Sequence, residues 1–182
     1  AAVAPAALAV APPALAVAKP VVYLLDRPQA AQSIIRVAIA APPTGDPADV
    51  AIDAMNQFLG GSFTSRINMN LREDKGYTYG ARSQVNDTRG QGVFVASSQV
   101  RTDVTKESIV ELMKELREIR GARPVTPAEL KKSQDNLILQ LPGAHESLGE
   151  VANYITRLVT LGLPEDYLAT YPQKVRATTV PG

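Results

Sequence analysis

Metal-dependent hydrolysis and nucleophilic triads both call for histidine, and this 182-residue chain has only His145. A catalytic zinc takes three protein ligands from His and Asp or Glu, and peptidase sites place two His one helical turn apart. A single His builds neither HExxH nor its inverse HxxEH, so the chain supplies no zinc site of that kind. His145 stands beside Glu146 at the predicted start of a helix, where a surface or capping role suffices. A Ser-His-Asp triad would depend on the same imidazole, and no G-x-S-x-G elbow marks a nucleophile. Cysteine is absent, which removes disulfides, thiolate metal sites and thiol nucleophiles while leaving oxidising and reducing compartments equally open. Asp87-Thr88-Arg89-Gly90 interrupts the D-T-G of aspartic proteases with an Arg and reads as a turn. Gly60-Gly61 lacks the Lys-Ser/Thr of a phosphate loop and reads as a helix stop. Taken alone, these residues compose no self-contained enzyme.

Composition narrows the partners. The formal net charge is +1, from 19 basic and 18 acidic residues, with no like-charge block to grip phosphate or anionic lipid. Nucleic acid and membrane-surface partners are therefore set aside. No stretch approaches the roughly 20 apolar residues of a membrane span. With 45% hydrophobic and 20% charged residues, the chain reads as an ordinary globular domain. Residues 1–19 form an Ala/Pro-rich tract without a basic leader, and Pro5, Pro12 and Pro13 break any apolar helix. This tract reads as a semi-extended linker, so the chain is expected to be a piece of something longer. Residues 20–182 then form one domain.

The elements that would position a site follow from periodicity and punctuation. Val21-Val22-Tyr23-Leu24-Leu25 and Ser33 to Ala40 read as strands. Asp46 is expected to cap a helix with Pro47 at its first position, which runs through Met55 and Phe58 and stops at Gly60-Gly61. A shorter helix from Ser62 or Thr64 to about Glu73 would place Phe63, Ile67 and Leu71 on one face and leave through Gly76. Tyr77 to Val85 and Gly92 to Val100 read as an antiparallel hairpin around Asn86-Asp87-Thr88-Arg89-Gly90. Val104, Ile109, Leu112, Met113, Leu116 and Ile119 mark a helix. Thr126-Pro127-Ala128-Glu129 is a capping box opening another, which ends near Leu141 before Pro142-Gly143. Glu146 to Leu161 is a third, and Pro164 to Val175 holds one or two short helices. This order predicts an α+β fold, with helices packed on one face of a largely antiparallel mixed sheet.

The stretch from Asn56 through Gly60-Gly61, Phe63 and Ser65-Arg66-Ile67 to Leu71-Arg72-Glu73-Asp74-Lys75-Gly76-Tyr77-Thr78-Tyr79 carries a resemblance. It is similar to the pattern N-x-x-L-G-G-x-F-x-S-R-[LI] followed by L-R-E-x-K-G-x-x-Y. That pattern belongs to the C-terminal, non-zinc-binding domain of the pitrilysin (insulinase, mitochondrial processing peptidase) family. The match is ungapped and mixed in composition, and the likeness extends over roughly residues 20 to 180. The family domain continues into a further helix and strand, so this chain resembles a truncated domain.

The resemblance implies one half of a clamshell built from two similar domains around a chamber. Zinc is expected in the partner N-terminal domain or subunit, whose HxxEH motif would activate water, and no cofactor is expected in this chain. The half seen here would contribute an Arg and a Tyr seven positions apart, which by motif are Arg72 and Tyr79. A guanidinium and a phenol are donors that need no metal, suited to a peptide carbonyl and its oxyanion. Gly60, Gly61 and Ser65 would serve as a helix stop and as the cap or turn that aims the next helix, while Arg66 could serve structure or chemistry. The implied function is the substrate-binding, active-site-completing half of a bacterial zinc metalloendopeptidase acting on extended peptides, inactive by itself. The alternative is a catalytically inactive assembly subunit of the same fold. A sheet edge left unpaired would favour homo-oligomers, and the bacterial periplasm is favoured over the cytoplasm.

Overall fold

Alternating burial along three strands sets the architecture. The computed structural model describes residues 19–180; the linker assigned to residues 1–19 lies outside them apart from Lys19. Strands β1 (Gln32–Ala41), β2 (Thr78–Val85) and β3 (Gly92–Arg101) form a sheet of order β1-β3-β2, and every pairing is antiparallel. On central β3, Phe94, Ala96, Ser98 and Val100 are buried, whereas Val93, Gln99 and Arg101 on the alternate positions are exposed. Period-two burial of this kind requires cover on one face only.

The cover is helical. Helix α1 (Asp49–Asn56) continues through a widened π-type turn, Gln57–Gly61. Helix α2 (Arg66–Asn68) likewise widens over Met69–Asp74, and α3 spans Thr105–Glu118. Together with the inner sheet face they bury Phe58, Leu59, Ile67, Leu71 and Leu112 in one core. Full burial of side chains such as Leu71, Ile67 and Leu112 stabilises by about 1.5–3 kcal/mol each. A second cluster joins α4 (Pro127–Leu139), α5 (Leu148–Leu161) and α6 (Tyr167–Ala177) to α1, around Tyr167, Tyr171 and Val175. The α+β expectation with helices on one face is met, and the Thr126 capping box forms as predicted, the Glu129 amide donating to Thr126 Oγ1 at 3.2 Å.

Several local expectations need correction. Val21 to Leu25 is not a strand; these side chains are highly exposed, because no neighbouring strand among the described residues pairs with them. Asp46 does not cap α1. Its carboxylate accepts the Ala48 amide at 2.8 Å in the preceding turn, and the helix begins at Asp49. Phe63 does not join the buried face of α2 and is exposed, since the helix starts only at Arg66. Helix α5 begins at Leu148 rather than Glu146, through a second capping box of Ser147 and Glu150. Gly76 does take the left-handed exit, with φ of 63°.

One half-buried carboxylate is held at a cost. Asp53 on α1 accepts the Tyr171 hydroxyl at 3.1 Å, and burial, helped by the nearby Asp49 charge, pushes its pKa up to about 6. The folded chain thus binds this proton more tightly than the unfolded one. The protonated state's advantage is fully present below the ordinary carboxylate pKa of 3.8 and is lost as pH rises through about 6. Asp53→Asn keeps an acceptor for Tyr171 without the charge. It is expected to stabilise the domain by about 2 kcal/mol at pH 7.5 and negligibly at pH 3, read from urea midpoints. An equal change at both pH values would refute this account.

Candidate functional site

The stretch between α1 and β2 is folded back on itself by polar side chains that point inward. Gly60, in the widened end of α1, lies against β2 so closely that an added Cβ would overlap the Ser83 amide nitrogen and hydroxyl. The reading of Gly60 as a helix stop is therefore incomplete, because its lack of a side chain is what lets helix and strand touch. Ser83 donates to Asn56 Oδ1 at 2.6 Å across the same contact. Asn68 donates to the Phe63 carbonyl at 2.7 Å and accepts the Ala81 amide at 3.0 Å, tying the loop before α2 to β2.

At that junction β2 bulges. Thr78 lies opposite Val100 and Ala81 opposite Ser98, so Tyr79 and Gly80 together face Gln99 alone. The extra residue re-aims the strand, as bulges beside functional sites commonly do. Thr78 Oγ1 pins the bulge, donating to the Gln99 carbonyl at 2.6 Å and accepting the Gly80 amide at 3.1 Å. Ser98 Oγ donates to the Gly80 carbonyl at 3.1 Å from the central strand.

Tyr79 leaves this bulge 92% exposed. Arg72 sits in the last turn of the widened α2 helix, its guanidinium 4.5 Å from the centre of the Phe63 ring and 3.4 Å from Glu73. Both side chains line a single open cavity of about 550 Å³, floored by the uncovered face of the sheet. Phe63 and Asn68, which line it too, carried no functional signal in the sequence beyond the motif. The inversion of Phe63 from core to cavity wall is visible only once α2 is known to start late.

Arg66 resolves to structure. Its Nε and Nη2 donate to the two Glu129 carboxylate oxygens at 2.7 Å each, and Nη1 and Nη2 reach the Arg123 and Pro124 carbonyls. The Arg66 side chain is 8% exposed and does not line the cavity. Ser65, expected to cap α2, occupies the N-cap position, but its side chain makes no cap bond.

His145 closes a short 3-10 turn after α4, donating Nδ1–H to the Leu141 carbonyl at 2.8 Å, and its ring meets that of Tyr154 in a T-shaped contact. Among the described residues no three His, Cys, Asp or Glu side chains converge on one point, so these residues do not fit a catalytic zinc. Among the same residues no helix is long and apolar enough to cross a membrane.

Fold and cavity together define an α+β layer that presents hydrogen-bond donors from an open sheet face and carries no metal-ligand cluster in its described part. The chain belongs to the Peptidase M16 inactive-domain family, whose pattern matches residues 4–137. That match begins inside the Ala/Pro-rich tract. Among curated proteins none matches this sequence. A peptidase M16 inactive domain from Pseudomonas fluorescens is similar in structure, with a TM-score of 0.75 at 23% identity over 83% of this chain and 35% of that one. A protease from Helicobacter pylori gives 0.76 at 20% identity, over 85% of this chain and 37% of that chain. The periplasmic protease PqqL of Escherichia coli gives 0.66 at 18% identity, over 84% of this chain and 17% of that chain. The chain thus spans 35 and 37% of the first two structures. The resemblance read from the Asn56 to Tyr79 motif therefore stands: the chain carries an M16-type inactive domain.

Proposed function

We propose that this domain binds extended peptide and completes the active site of a zinc metallopeptidase whose metal lies in a homologous partner domain or subunit. The observation that carries the reading is the cavity shared by Arg72, from the end of the widened α2 helix, and Tyr79, from the bulge of β2. In this proposal the Arg72 guanidinium, 4.5 Å from the centre of the Phe63 ring, orients a peptide carbonyl of the substrate. The Tyr79 phenol donates to the same region as negative charge develops on the carbonyl oxygen, where a positioned donor has its greatest effect. Both groups act as hydrogen-bond donors in this role. A periplasmic setting belongs to the same proposal, supported by the fold shared with a periplasmic protease.

The test is reconstitution. This chain alone is expected to bind no stoichiometric zinc by elemental analysis and to leave a flexible reporter peptide intact. Mixed with a zinc-bearing M16 half, it is expected to raise cleavage of that peptide at least tenfold over the partner alone, an order-of-magnitude threshold for restoring an active-site donor set. Partner activity indifferent to this chain would overturn the reading in favour of an assembly role.

A further inference from the structure

We infer that the cavity selects acidic peptides, through a pair of arginines on the sheet floor that the family motif does not include. This rests on the peptide-binding reading above and adds the substrate class. Antiparallel register places Arg36 of β1 and Arg82 of β2 opposite the same residue of the central strand, Ser97. Directly paired residues project from the same face, so the two guanidinium stems rise side by side on the uncovered face. Their backbones are two strand spacings apart, about 10 Å, close enough for one extended chain running along the strands to pass between them. Both side chains are exposed and neither has an ion-pair partner among the described residues.

The setting is one-signed. Arg36, Arg72 and Arg82 line the cavity and no Asp or Glu does; Arg72 is paired with Glu73 at 3.4 Å, so the uncompensated charge is that of Arg36 and Arg82. The chain as a whole is nearly neutral, at +1, so this concentration of positive charge is local. A concave surface lined by one sign of charge raises the local concentration of opposite charge and speeds its capture. The next outward-facing step along the sheet, at Gln99, meets the Tyr79 bulge about 7 Å from the Arg36 and Arg82 row. An extended peptide advances roughly 3.4 Å per residue, so a carboxylate bound by this row lies about two residues from the group contacting Tyr79. The geometry therefore favours Asp or Glu near, and not at, the bond to be cut.

The experiment is anisotropy titration of the full chain with fluorescent, unstructured peptides that differ only in Glu against Gln at two adjacent positions. At low salt the Glu peptide is expected to bind about tenfold tighter, the product of two modest ion pairs. The preference is expected to vanish at 0.5 M salt, where screening shortens to about 4 Å, and in the Arg36→Gln/Arg82→Gln variant. That variant touches only exposed, unpaired side chains, and an unchanged melting temperature establishes that it is folded. Equal binding of the Glu and Gln peptides overturns this inference while leaving the peptide-binding reading intact. A preference that survives in the double variant overturns it as well, by moving the selectivity elsewhere. No binding of either peptide overturns both. Tighter binding of a single-stranded oligonucleotide than of a peptide of equal charge overturns the assignment to peptides.

Discussion

Tyr79→Phe is expected to lower peptide turnover by roughly a hundredfold in a complex with a zinc-bearing partner half, the usual scale for removing one oxyanion donor. The substitution deletes one hydroxyl and nothing else. At 92% exposure the ring supports no core packing, so the melting temperature should be unchanged. A donor that acts chiefly on developing charge stabilises the transition state more than the bound substrate, so kcat should fall while KM stays within a few-fold. The bulge that aims Tyr79 is held by Thr78, Ser98 and Asn68 and does not depend on the phenol. The loss should therefore report on chemistry and not on a displaced strand. Turnover at the wild-type level in this variant would remove Tyr79 from the proposed role.

Arg66→Ala is expected to destabilise the domain by about 3 kcal/mol at pH 7, the scale of breaking a largely buried ion pair by removing one partner. Four donated hydrogen bonds disappear, and the Arg123 and Pro124 carbonyls lose their partner along with Glu129. Hydrogen bonding from Arg66 is the main reason that the Glu129 pKa is lowered to about 2, with the Thr126 backbone and hydroxyl bonds adding to it. A depressed carboxylate pKa contributes stability that is fully present above the ordinary value of 4.5 and is lost as pH falls through about 2. The gap between wild type and Arg66→Ala in urea midpoint should therefore be widest at neutral pH and narrow between pH 4.5 and 2. Part should persist in acid, because the bonds to the two carbonyls do not titrate. Superimposable denaturation curves at pH 7 would show that Arg66 is not the strut proposed. Cleavage activity in the folded fraction should be spared, since Arg66 does not line the cavity.

These two arginines, six positions apart in one motif, illustrate how much was legible beforehand. The motif told that Arg66 and Arg72 belong together in a family pattern, and left Arg66 open between structure and chemistry. Only the packed structure separates them, because Glu129 and the turn carbonyls that capture Arg66 lie about 60 positions downstream. Long-range capture leaves no local spacing signal. The same holds for Glu115, buried at 2% on α3 and held by Asn70 and Arg123; a charged residue on an amphipathic helix gives no hint that it faces inward.

Local chemistry settled by short-range rules was readable from the residues alone. The Thr126 capping box, the left-handed exit at Gly76, the hairpin of β2 and β3 and the want of a zinc-binding motif each depend on neighbours a few positions apart. Where partner identity matters, sequence reading failed. The run Val21 to Leu25 has strand composition, yet a strand exists only where another pairs with it. The bulge at Tyr79 and the shared row of Arg36 and Arg82 depend on which residues of β3 stand opposite, a register that hydrogen bonding fixes only after the sheet assembles. The amino-acid sequence thus determined the kind of domain and the candidate donors. Tertiary structure alone decided which side of the sheet stays uncovered and which charges gather there, because burial and register depend on residues far apart in the chain.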